Sequence, residues 1–525
     1  MSRYPSLPCV LFLCLALIAT ACAPASPSAS NPPAATSAPA ATSAPGSAAG
    51  RALVIDQPGD PATLDPGLQY DTTSYSVYRN IFDTLLGRDP ASGQIIGRLA
   101  RSWKTIDPTT WEFELQDGVK FHNGDALTAE DVKFSLDRML DPNFKSPQFQ
   151  NFSSIKEVVA ASPTTVRIIT QEPYPALLAQ LVNLSVVPAA YTRDKGADTL
   201  NTAPVGSGPY RFVEWRKGES VTLEANPAYW RGAPAISSVK FRAVPEPATR
   251  VADLQNGTAD LVVGLNVDSI KQVQSNPKLR VLSADTERVA YIAFDPLGKG
   301  PTANKAVRQA IVQTLEPKAI SDALLAGQVS PVATYLTSLH VGYDASIPAY
   351  PHDPEGAKAL LAQAGFPNGV TLTFLTSPAY DQRIVQAIQG QLEPIGIKTE
   401  IQMVDQPTYL KKIQGPEHDW GDIRYGQWSC SCLDADGVIY PLFHTGSIWS
   451  SYTNPKFDAD VDQARTTIDE TRRKQLYAEA SRILQDDVVG DALWQVKSLY
   501  GVRAGLTWQP TVDEQLFVFD MRDSS

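Results

Sequence analysis

The sequence predicts a mixed α/β protein of two lobes, the second inserted in the first, behind a leader and an unstructured lead-in. Three observations carry this expectation. About 475 residues follow Gly50, well beyond what one hydrophobic core supports. Over that length alanine- and leucine-rich helical stretches at 303–326 and 354–365 alternate with short β-prone runs such as 370–375 and 397–403, the pattern of an α/β lobe. Beyond the leader the only cysteines are Cys22, Cys430 and Cys432, too few for a disulfide framework, so stability must come from burial.

Residues 1–21 carry a lone Arg3, an apolar run from Val10 to Ile18 and small residues after it. These are the features of a secretory signal, too short to stay as a spanning helix, which needs roughly 20 apolar residues. Ile18-Ala19-Thr20-Ala21-Cys22 resembles the bacterial lipobox, with Ala19 departing from the larger aliphatic usual there; the resemblance implies Cys22 as a lipidated mature N-terminus. Residues 22–50 are almost wholly Ala, Ser, Pro and Thr, a composition that cannot bury a core and reads as a disordered tether of roughly 30 Å reach. The chain from Arg51 onward is therefore expected outside the cytoplasmic membrane, lipid-anchored and monomeric. Its net charge of −11 argues against nucleic acid as a partner.

After the strand-like run 51–55, Asp, Gly and Pro force a loop to about Gln69, and Ser74, Val77, Tyr78, Ile81, Phe82 and Leu85 then fall at helical spacing. Trp103 and the alternating run from Trp111 to Leu115, joined at Asp107-Pro108, predict a hairpin. Thr128 to Asp131 opens a helix in capping-box form. The runs 289–295 and 492–502 are extended and apolar, suited to paired core or hinge strands.

The densest recognition chemistry lies in 425–443, where Trp428, Ser429, Cys430, Ser431, Cys432, Asp434 and Asp436 stand between apolar flanks while Gly and Ser break any periodicity. That spacing predicts a strand, an irregular segment and a short helix, and irregular backbone on a rigid scaffold suits a ligand-facing wall. Asp434 is a candidate contact; Asp436 before Gly437 also suits a helix cap. Cys430-Ser431-Cys432 admits a labile disulfide, two packed thiols, or half of a soft-metal site, preferred in that order. Further candidate contacts are Gln57, Thr63, Tyr70, Tyr75, Tyr335, Tyr425, Trp449 and Trp494, about half of them expected in the core.

No catalytic constellation emerges. Two S-x-x-K matches, at Ser153 and Ser237, lack companion motifs; there is no G-x-S-x-G, Walker A or G-x-G-x-x-G, and the five histidines are scattered without i,i+4 pairing. Neither an enzyme, a cofactor nor a resident metal is expected.

The run GVKFHNGDALTAEDVKFSLDRM, with Leu64-Asp65-Pro66 before it and PVGSGPYRFVEW, ANPAYWRGAPAISSVKFR, LQNGTADLV, YIAFD and YTNPKFDADVDQARTTIDETRRKQLYAEASRILQDD after it, resembles family 5 bacterial extracellular solute-binding proteins, the peptide- and nickel-binding lipoproteins of ABC importers. The resemblance implies a two-lobed, type II Venus-flytrap fold, with lobe I at 51–293 plus 495–525, an extra subdomain at about 96–205, and lobe II at 294–494. It implies capture of a peptide-like or other small solute for an ABC permease, with a metal-chelate or oligosaccharide receptor as the alternative and a secreted hydrolase further off. His122 would be structural. Peptide-binding members carry an Asp three residues after the Trp matching Trp428, for the peptide ammonium; here that position is Ser431. Without it, an ammonium forfeits a bond of about 1.5–3 kcal/mol, which disfavours ordinary free-amine peptides.

Overall fold

The computed structural model describes residues 52–69, 71–90, 93–196, 198–414 and 419–524, leaving aside the side chains of residues 406 and 407. The leader, Cys22, the tether and Tyr70 lie outside the described residues.

The organising element is a mixed sheet whose order runs Ile397–Met403, Val370–Thr376, Ile423–Trp428, Leu279–Phe294, Gly490–Arg503, Leu261–Val263, Leu53–Gln57, Ser238–Ala243, Ser220–Ala225 and Tyr210–Arg216. Two members are unusually long, Leu279–Phe294 with 16 residues and Gly490–Arg503 with 14. A strand of that length spans about 50 Å, enough to serve both ends of the sheet. The two pair antiparallel from Leu279↔Arg503 to Ala293↔Gly490, with the register broken between Asp285 and Val289. On one side of the break Gly490–Arg503 borders Leu261–Val263, through Leu261↔Val502; on the other, Leu279–Phe294 borders Ile423–Trp428, through Val289↔Trp428.

The buried apolar side chains segregate accordingly. One core joins Leu53, Ile55, Phe82, Val239 and Phe241 to Tyr500 and Val502; another joins Ile292, Phe294, Ile311, Phe374 and Ile423 to Trp494. A third, from Leu85 to Val186, packs the helix Ala129–Leu140 on a separate sheet ordered Ala100–Asp107, Thr110–Leu115, Thr165–Thr170, Ile155–Ser162. The hairpin expected at Trp103 and Trp111 is its first pair. Thr128 opens the helix with both capping-box bonds in place.

The first helix is shorter than its apolar spacing suggests, Thr72–Tyr78. Beyond it the Asn80 amide donates to Ser76 O and Leu516 O, and the chain turns so that Ile81 O accepts from Gly208 N at 2.8 Å. A Cβ on Gly206 or Gly208 would stand 2.0 or 2.6 Å from that same oxygen, so both positions need glycine for close backbone approach. His122 closes this corner, accepting from Gly206 N at Nδ1 and bonding Gly208 O through Nε2 at 2.9 Å. Burial lowers its pKa to about 4, as befits a neutral structural imidazole.

Candidate functional site

Strand Ile423–Trp428 leads into an irregular segment and then the helix Asp436–Phe443. The Cys430 and Cys432 sulfurs are bonded at 2.00 Å. A tight turn follows, in which Leu433 takes φ 51° and its N–H donates to Cys430 O at 2.9 Å. Gly437 lies beneath the sulfurs; a Cβ there would meet them at 2.2 and 2.4 Å. The Trp428 indole donates to Gly437 O at 2.9 Å and its ring meets Trp449 edge-on, centroids 5.1 Å apart. Ser429 and Ser431 are half-buried beside them.

The carboxylates of this segment are committed to partners within the protein. Asp434, expected to be a contact, receives two bonds from the Arg473 guanidinium at 2.6 and 2.7 Å and one from Asp436 N, all buried. Asp436 is the first residue of its helix and not its cap; it pairs with Arg465 Nε at 2.8 Å and accepts from the phenol of Tyr174. Burial and the Asp436 charge hold that phenol well above its ordinary pKa, so it stays a donor.

Other expected contacts also prove structural. Tyr425 and Trp494 are wholly within the core, Tyr425 with its carbonyl accepting from Tyr409 Oη, because helices cover both faces of their strands. The Thr63 hydroxyl donates to Asn201 and accepts from Asp65 N, which ties the loop that Arg138 braces through Asp65. Tyr335 is buried edge-on to Tyr291 and Phe443, lining a small cavity with Tyr350 and Ser481. Gln57 is buried at the end of its strand, its amide oxygen without a partner among the described residues. Tyr75 is buried, donating to Asp513 O and lying 5.6 Å from the Arg79 guanidinium.

Opposite the disulfide segment stands the hairpin Leu86–Arg88 and Ile95–Gly97. Its Arg88 donates from Nε to Ser431 O at 3.1 Å, from Nη2 to Cys432 O and from Nη1 to Gly93 O at 2.8 Å. Arg79, Arg88, Arg98, Asp83, Asp513 and Phe517 line one pocket here. Nothing in the sequence marked these arginines: Arg79 stands between the apolar positions of a helically spaced run, Arg88 in a Gly-Arg-Asp-Pro turn and Arg98 in a short apolar run after Gly97, and Asp513 and Phe517 belong to a terminal stretch without regular structure.

Next to the pocket, where the register of the long strands breaks, Arg288 pairs with Glu514 at 2.7 Å and Ser498 Oγ donates to the same carboxylate. Glu287 beside it is 2 % exposed with Oε2 unpartnered among the described residues. Burial, and then Glu514, raise its pKa to about 8.

One mixed sheet carried through two long continuous strands, with the Arg88 guanidinium bridging the Leu86–Arg88 hairpin and the disulfide segment, is the frame of a solute-binding protein. The chain belongs to the bacterial extracellular solute-binding proteins, family 5, whose model matches residues 94–450; this is a family of non-catalytic proteins of ABC importers. The glutathione-binding protein GsiB of Pectobacterium atrosepticum is 31 % identical over 462 residues, 85 % of this chain and 88 % of its own. Heme-binding protein A of Haemophilus influenzae is 31 % identical, covering 81 % of this chain and 83 % of its own. The fold matches that of the periplasmic binding protein DppA from Helicobacter pylori in complex with the peptide STSA, with TM-score 0.82, 26 % identity and coverage of 90 % and 98 %. It also matches AgaA of A. tumefaciens in complex with agropinic acid, with TM-score 0.79, 26 % identity and coverage of 90 % and 99 %.

Proposed function

We propose that this protein is a lipid-anchored extracytoplasmic receptor that captures a peptide-like or other small organic solute between two lobes and delivers it to an ABC permease. In this reading 51–293 with 495–525 forms one lobe and 294–494 the other. The carrying observation is the reach of Arg88, in the first, to the carbonyls of Ser431 and Cys432, in the second. Such a contact exists only when the cleft is shut. The long strands bend where their register breaks, so that small changes near 285–289 translate into lobe closure. A solute shifts the open–closed balance by its differential affinity for the closed form alone. The relatives support a peptide-like or small organic cargo: their names and bound molecules are glutathione, heme, a peptide and agropinic acid. The fixed acid for a peptide ammonium is missing at Ser431, and Asp434 does not replace it, because Arg473 already occupies both its oxygens. Trp428, Trp449 and the Ser429–Ser431 backbone are the contacts this reading retains.

Native mass spectrometry of the full chain, purified without refolding from rich medium, tests the reading. A small organic adduct released intact on denaturation, with compaction by solution scattering on its return, is the expected result. A chain that neither carries nor compacts on any solute would refute it.

A further inference from the structure

The pocket beside the clasp holds three guanidinium groups and no ion pair to any of them among the described residues. Arg79 donates from Nη2 to Asn183 Oδ1 at 2.8 Å, and its Nε is buried without a partner among the described residues. Arg88 directs its bonds to three main-chain carbonyls. Arg98 makes neither a hydrogen bond nor an ion pair with its side chain among the described residues; its guanidinium lies 5.6 Å from the centroid of the Phe517 ring. Gly87 leaves room for it, since a Cβ there would stand 2.6 Å from Arg98 Nε.

The two acids of the wall do not neutralise this charge by contact. Asp83 is saturated by Ser207 Oγ, Tyr229 Oη and Trp230 Nε1, at 3.0, 2.7 and 2.9 Å. Asp513 turns Oδ1 to Thr511 Oγ1 and Gln515 N. Burial lowers the pKa of Arg88 and Arg98, and Arg231 lowers that of Arg98 further; the charges of Asp513, Asp434 and Glu287 at Arg88, and of Asp520 and Asp83 at Arg98, offset this only in part and from beyond contact distance. All three side chains are half-buried, and a partly desolvated cation with no anion in contact is costly. Three in one pocket point to an anion supplied from outside.

We propose that this pocket is an oxyanion subsite of the cleft, and that the solute carries a carboxylate seated on Arg98 and Arg79 beside the Arg88 clasp. The proposal rests on the solute-binding reading above and narrows it to acidic solutes. The planar forks of arginine match a carboxylate through paired bonds, which lysine cannot reproduce. Phe517 supports the Arg98 guanidinium from behind without competing for its donors.

The test uses the full chain, stripped of solute in denaturant and refolded, with matched probes read by calorimetry and thermal shift: trialanine and its C-terminal amide, glutathione and its diethyl ester, and inorganic phosphate. The mass and acid content of any solute carried from the cell is read alongside. Expected is binding of an acidic member at least tenfold tighter than its neutral partner, and a loss of about 10- to 100-fold on Arg98→Met, the effect of one charge-assisted contact. Arg98→Lys should recover only part of that. Because Arg98 makes no side-chain hydrogen bond or ion pair among the described residues, and methionine can keep a contact with the Phe517 ring, R98M without solute should melt no lower than the parent. Phosphate binding that R98M also abolishes would still support an oxyanion subsite but reassign its source from a carboxylate to a free anion. Equal binding of acidic and neutral partners, an uncharged cell-derived solute, or a lower melting point of solute-free R98M would overturn the subsite while leaving solute binding intact. No carried solute and no response to any probe would count against the underlying reading as well.

Discussion

Asparagine in place of Asp434 separates structure from recognition in the disulfide segment. Asp434 and Arg473 form a two-bond pair with side chains 5 % and 4 % exposed. Removing one charge of such a pair leaves the other buried and uncompensated, which costs about 3–5 kcal/mol. Asparagine keeps one acceptor for the guanidinium, and Arg473 retains its bond from Nε to Ala464 O at 3.1 Å, so the lower end, about 3 kcal/mol, is the expected loss. For the compact unit of residues 50–525, at about 2 cal/mol/K per residue, each kcal/mol moves the midpoint by about 1 °C, giving a fall of about 3 °C. Urea and thermal unfolding of D434N, R473M and the double variant provide the assay. The double variant should fall well short of the summed losses, because the two residues share one interaction. If D434N melts with the parent yet loses solute, the carboxylate faces the ligand after all and the structural account is wrong.

Three further outcomes follow from particular contacts. Arg88→Met should open the solute-free protein, seen as a larger radius of gyration in scattering, because it removes the bonds to Ser431 O and Cys432 O; an unchanged radius would remove the clasp from the account of closure. Gly437→Ala should destabilise by about 1–3 kcal/mol, since its Cβ has no space beside the two sulfurs; an unchanged urea midpoint would contradict the packing. Asp491, buried without a charged partner among the described residues, has its pKa raised by burial to about 7. The folded state therefore keeps a proton that the unfolded state has lost, and between about pH 4 and 7 stability falls with rising pH, by up to about 1.4 kcal/mol per unit. Asp491→Asn should cancel that descent, so that the variant gains on the parent from pH 4 to pH 8 in melting experiments. His122 and His340, both lowered to about 4 by burial, slope the other way but equally in both proteins; a gap between parent and variant that does not change with pH would refute the assignment.

The alternation of helices and strands, the hairpin at Trp111, the capping box at Thr128 and the strand–loop–helix at 423–443 were all legible, because each is written in local spacing and turn chemistry. What sequence spacing does not carry is which faces of a strand are covered. Ile423–Trp428 is buried on both sides through its first four residues, as strands between helical layers are, so Tyr425 reads like a pocket aromatic and is a core one. The fate of Asp434 was equally hidden. Its partner lies 39 positions away on the helix Glu470–Asp487, and a carboxylate's role is fixed by what folds against it. Arg79, Arg88 and Arg98 were missed for the converse reason: each stands alone in a different local context, a helically spaced run, a turn and a short apolar run, and only the fold brings them to one pocket.

The distribution of charge across the cleft then constrains what closes it. On the disulfide side Asp434 and Asp436 are committed to Arg473 and Arg465, so that side offers Arg88 only main-chain carbonyls. A neutral solute cannot improve on those carbonyls, and its presence would leave Arg98 as uncompensated as before. A carboxylate does improve on them, since bonds between ionised partners are roughly twice as strong as neutral ones. On the proposed closing motion, opening would return the arginines to water, so an acid would also relieve a desolvation cost borne by the closed form alone. The differential affinity for that form would then be greatest for an acid-bearing solute, and the same guanidinium groups that make an empty closed form costly would make the loaded one selective.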